Sequence, residues 1–75
     1  MKVKEQLKHI DKGQKVNCVF YAYGIFWASS LDDGMATAGD CLDRLNTTCL
    51  NAKVSRINPS DADPERLVIH AEVVS

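Results

Sequence analysis

The side chains with chemistry to offer are few. They are His9 and His70, the cysteines Cys18, Cys41 and Cys49, and an acidic segment of Asp32, Asp33, Asp40 and Asp43. A hydrolytic or zinc site would need such groups to converge in space. The cysteines are odd in number, and their spacings match no zinc pattern or disulfide framework. Cys18 sits among strand formers and Cys41 on a helical apolar face, which suits thiols used as small core residues. Asp61-Ala-Asp63 lacks the ligand series and closing Glu of a calcium loop, and reads as a solvated turn. There is no Gly-rich phosphate loop and no nucleophile elbow. The expectation is a protein that is not an enzyme and uses no metal and no cofactor.

Binding chemistry is better represented. Phe20, Tyr21, Tyr23, Phe26 and Trp27 cluster within eight positions. Successive residues of a strand point to opposite faces, so Phe20 and Tyr21 cannot both enter one core, nor can Phe26 and Trp27. If helices cover one sheet face, two aromatics remain on the other, where large rings serve as anchors for a partner. The candidate contact residues are Tyr21, Tyr23 and Trp27, with Val19 and His70 as neighbours. His70 and Glu72 share a face and are expected near Tyr21. Rings of this kind also stack on nucleic-acid bases, but normally beside a basic groove. Here only Lys12 and Lys15 lie close in sequence. The four aspartates offer a surface for a basic partner, in the manner of a nucleic-acid mimic. They are better explained as loop formers and as acids meeting a helix N-terminus.

The elements that must position these groups follow from periodicity. Val3, Leu7 and Ile10 fall on one side of a helix over residues 1–11, and Gly13 is a natural left-handed stop. Residues 15–21 and 25–29 are rich in strand formers. Between them, Ala22-Tyr23-Gly24 lacks the Asn-Gly of the tightest hairpins, so a longer turn with Gly24 in a bulge is expected. Thr37-Ala-Gly-Asp40 resembles a capping box opening a helix to about Asn46, with Thr47-Thr48 helping to end it. Its apolar face is Ala38, Cys41, Leu42 and Leu45. Residues 52–57 make a weak strand, 58–64 a proline-bracketed loop, and 66–74 the strongest strand, with Leu67, Ile69, Ala71 and Val73 on one face. The order α-β-β-α-β-β predicts an α+β fold: a four-stranded, mainly antiparallel sheet with two short helices on one face.

Length and composition agree with this. Seventy-five residues make a single domain, 1–75, with a modest core that oligomerisation often supplements. Apolar residues are 45% and charged residues 25%, which argues against disorder. A net charge of −1 gives no general attraction to nucleic acid or anionic lipid. The charged start, Met1-Lys-Val-Lys-Glu-Gln-Leu-Lys8, has no signal-peptide apolar core, and Cys18–Ala28 is too short to span a bilayer as a helix. A cytoplasmic protein without membrane contact is expected, in which the Asn46-Thr47-Thr48 sequon has no consequence.

The layout carries a resemblance. Val3-Lys4-Glu5-Gln6-Leu7, two strands, the short helix Cys41-Leu42-Asp43-Arg44-Leu45, then Ala52-Lys-Val-Ser-Arg-Ile57 and Leu67-Val-Ile-His-Ala-Glu-Val73 resemble small accessory proteins of Gram-positive phages and other mobile elements. The likeness covers most of the chain and is one of arrangement. It implies an interaction role, such as binding and blocking a host factor of a defence system, and it transfers no functional residue. The expected partner is another protein or a twin subunit; a nucleic-acid-associated protein and a structural homodimer are the alternatives.

Overall fold

The computed structural model describes residues 1–74. Helix α1 spans Val3–His9 and buries Val3 and Leu7, the residues its spacing predicts. The carboxylate of Glu5 accepts from the backbone N–H of Lys2 at 2.8 Å and closes the first turn. The helix stops before the expected Gly13, because Ile10 adopts an extended backbone and packs against the core. Gly13 is not left-handed; the glycines with positive φ are Gly24 and Gly34.

Strands β1 (Val16–Ala22) and β2 (Ile25–Ser29) form a hairpin. Its loop is tighter than expected. Ala22 pairs directly with Ile25, leaving Tyr23 (φ 54°) and Gly24 (φ 78°) as a two-residue turn. Positive φ at both central positions is the type I′ geometry, whose twist matches the strands. Tyr23 thus occupies a position where Asn is preferred, at a cost of about 1 kcal/mol.

Helix α2 (Ala38–Arg44) begins as its capping sequence predicts, with Thr37 Oγ1 accepting from the Asp40 N–H at 3.2 Å. It ends sooner than expected, and a third helix α3 (Thr47–Leu50) follows. Leu45 takes an extended backbone, and Asn46 restarts the helix by accepting from the Cys49 N–H at 2.8 Å. Asn is a strong N-cap, which overrides the weak helix propensity of Thr47-Thr48.

Strands β3 (Lys53–Pro59) and β4 (Leu67–Val74) complete one sheet in the order β2-β1-β4-β3. The fold is α+β, as the element order predicts, but the sheet is mixed. The two hairpins are antiparallel pairs, and β1 runs parallel to β4. The long connection through α2 and α3 sets β4, not β3, beside β1. Composition explains the choice. β4 is far more apolar than β3 and takes a central place, while β3, with Lys53, Arg56 and Pro59, takes an edge, where proline and charge are tolerated.

Burial along β1 alternates, with Val16, Cys18 and Phe20 inside and Asn17, Val19 and Tyr21 half-buried. The helices therefore cover one face. Under them Val16, Cys18, Phe20, Ile69 and Ala71 meet Val3, Leu7, Ala38, Cys41 and Cys49. All three cysteines are free and buried. Contact with the Cys41 sulfur, then burial, pushes the Cys18 thiol up. Arg66 clamps the start of the sheet, its Nη1 donating to the carbonyls of Val16 and Ala36, both at 2.9 Å. No helix among the described residues is long and apolar enough to cross a membrane.

Candidate functional site

Two arrangements bear on function. The first lies on the sheet face opposite the helices. β1 contributes Val19 and Tyr21; β4 contributes His70 and Glu72 alongside them, Val19 beside His70 and Tyr21 beside Glu72. Arg56 of β3 lies across from His70. The Tyr21 and His70 rings stack with centroids 5.8 Å apart and planes at 21°. Tyr21 Oη and His70 Nδ1 are hydrogen-bonded at 2.8 Å, and Arg56 Nη2 stands 3.5 Å from His70 Nε2.

The tautomer follows from the partners. Arginine only donates, so its guanidinium beside Nε2 favours the tautomer with the proton on Nδ1. His70 Nδ1–H then donates to Tyr21 Oη. Burial, and then the charge of Arg56, lower the His70 pKa and favour this neutral form. Tyr21, Ser55, Arg56, His70 and Glu72 line a shallow depression of about 290 Å³. Glu72 Oε2 is shielded and has no hydrogen-bond partner among the described residues. This face is polar, half-buried and internally bonded. Sequence reasoning placed Tyr21, Val19 and His70 together here, and the structure does bring them together. It did not find Arg56, whose signal was only a position on the weak strand.

The second arrangement lies at the hairpin tip and along β2. Tyr23 is 72% exposed, Ile25 71%, Phe26 56% and Trp27 51%. The tight turn and a bulge together set where these side chains lie. Phe20 pairs with Ala28 and Tyr21 with Phe26, so Trp27 is the extra residue. The longer turn expected from sequence would put Trp27 on the open face with Tyr21; the two-residue turn instead makes Phe26 the aromatic opposite Tyr21. Trp27 lines a groove of about 330 Å³ on the helix side, with Phe20, Met35, Arg44, Leu45 and Cys49. Ile25 was read only as a strand former. Its signal was an uncharged run, Gly24 to Leu31, on a strand at the end of the sheet.

β2 ends with a side chain that continues the ladder. The Cys18 N–H donates to Ser30 Oγ at 2.9 Å, and the Ser30 N–H donates to the Cys18 carbonyl at 2.8 Å. Beyond β2 no further strand is paired among the described residues, and its first three residues, Ile25, Phe26 and Trp27, are exposed. Among those residues, no three His, Cys, Asp or Glu side chains are grouped to hold a metal ion. No protein-family model matches this chain, and no curated protein or solved structure matches it either.

Proposed function

We propose that this protein is a non-enzymatic interaction module of the cytoplasm that engages protein through the tip and outer edge of its hairpin. The observation that carries this reading is the contiguous exposure of Tyr23, Ile25, Phe26 and Trp27 on one end of the molecule. Large apolar side chains gathered in this way lose surface to water at no gain to the fold, and such patches mark contact sites. Aromatic rings supply most of the energy where they are buried by a partner. The resemblance in layout to accessory proteins of phages and mobile elements gives the specific form of the proposal: a protein that binds and blocks a host factor such as a component of a defence system.

The test compares immobilised wild-type chain with Trp27→Ala in retaining proteins from a Gram-positive host extract, quantified by mass spectrometry. The expected result is one host protein held saturably by the wild type and released by the variant, with unchanged far-UV circular dichroism. Equal retention by both chains overturns the reading. An unfolded Trp27→Ala makes that ring part of the core, and Ile25→Lys, at a more exposed site, then decides the matter.

A further inference from the structure

Resting on that reading, we infer that a second copy of this chain competes with the host protein for the β2 edge, through antiparallel β2–β2′ pairing into one eight-stranded sheet. The first argument is how the exposed side chains are distributed. Phe26 lies opposite Tyr21 on the open face, whereas Trp27 lines the groove on the helix side. A partner docking on either face covers only part of this set. A strand added to the edge covers both faces at once and satisfies the outward backbone N–H and C=O groups as well.

The second argument is charge, and it selects both the partner and its direction. From Gly24 to Leu31 the chain carries no ionisable side chain. Pairing this segment with its twin opposes no like charges and buries no unpaired one. Along the chain the nearest charges are Asp32 and Asp33, beyond one end of the strand, and Arg44 shares the Trp27 groove with Asp33. A parallel pair would stack them on their counterparts about 5 Å apart. An antiparallel pair centred near Trp27 carries the two acidic pairs to opposite ends, roughly 30 Å apart, well beyond the screening length.

The third argument is area. Tyr23, Ile25, Phe26 and Trp27 keep 51–72% of their surface exposed. With side chains of about 150–250 Å² each, that is roughly 500–600 Å² per protomer. The pair reaches the ~1,000 Å² needed for a specific interface only when nearly all of that area is covered. An association of modest strength follows, reversible over a practical concentration range.

The experiment is sedimentation velocity on the full chain from about 1 to 500 µM, the range suited to an interface of this size. It is paired with amide hydrogen exchange at both ends of that range. The wild type should shift from 8.3 kDa towards twice that mass. Outward amides among residues 25–29 should exchange more slowly as the dimer fills. Ile25→Lys, at a side chain 71% exposed, should leave the fold intact and weaken association on the order of 30-fold or more. A strict monomer overturns the inference. So does a dimer that Ile25→Lys leaves unchanged, or one without concentration-dependent protection of β2. A monomer that still retains a host protein through Trp27 refutes the twin-subunit partner while leaving the interaction reading in place.

Discussion

β2 and β3 are both outer strands of one sheet, and they treat their free edges in opposite ways. β3 is guarded four times over. It carries Lys53, Arg56 and Pro59. It is irregular between Val54 and Arg56. The N-terminal segment lies against it: Lys2 bridges Lys53, the Val54 N–H donates to the Met1 carbonyl at 2.8 Å, and the Val3 N–H donates to the Ala52 carbonyl at 3.0 Å. Charge, proline, bulges and cover are the usual defences of an edge strand. β2 has a bulge and none of the other three. The lesson is that this sequence can protect an edge and does so on one side only. A strand left with one defence, in a molecule that gives its counterpart four, is better explained by a partner than by neglect.

The comparison breaks most visibly if the cover of β3 is removed. Leu7 is fully buried and anchors α1 beneath the sheet. Leu7→Ala should cost about 2–5 kcal/mol, the lost burial plus the cavity left behind. Urea denaturation reads this as a lower midpoint, and hydrogen exchange at the Val54 amide should accelerate as the N-terminal segment loosens. If charge and proline guard β3 independently of the cover, the variant keeps the wild-type mass in sedimentation. Growth to higher oligomers would assign the protection to α1 alone.

How much of this was legible in the sequence depends on the scale of the signal. β2 was placed at its observed bounds, and the core faces of α1, α2 and β4 follow from spacing because a single apolar stripe has one place to go. The parallel β1–β4 pair was not legible, since both strands alternate identically whichever way a neighbour runs. Asn46 was read as the end of one helix when its side chain caps the next; the same residue type serves both roles, and only the geometry separates them. The site shows the same limit. Tyr21, Val19 and His70 share a face because alternation holds through β1 and β4. Trp27 departs from it because the turn is one residue shorter than expected, which shifts the hairpin register, and Tyr23-Gly24 lacks the Asn-Gly that marks so tight a turn.

A smaller effect sharpens what the exposed hairpin tip is for. Tyr23 holds φ at 54° in a turn position suited to Asn, with its ring 72% exposed. Tyr23→Asn should relieve the left-handed strain and stabilise the fold by about 0.5–1 kcal/mol. At about 4–8 °C per kcal/mol for a chain of this size, calorimetry resolves that gain. The same variant should associate more weakly if the ring belongs to the contact. A rise in Tm with unchanged association would confine the contact to Ile25, Phe26 and Trp27.

The smallest effect separates the two edges by pH. The β3 side is tied to the sheet centre through Tyr21, His70 and Arg56, with Glu72 next along β4 lining the same depression. Burial and then Arg56 hold the His70 pKa below its ordinary value of 6.5. The unfolded chain therefore takes up the proton first as pH falls. Stability contributed by neutral His70 is full above about 6.5 and declines below it until the folded-state pKa is passed. Urea midpoints at about pH 7.5 and 5.5 should show this loss in the wild type, with a smaller loss in His70→Gln, whose amide does not titrate. Equal slopes in the two chains would remove His70 from the account. The β2 edge should be indifferent over the same interval, because Gly24 to Leu31 contains no group that titrates there. Association that weakens in parallel with stability would mean that the edge and the polar face act as one unit. Association that holds while stability falls would establish them as independent, the polar cluster maintaining the sheet and the uncharged strand making the contact.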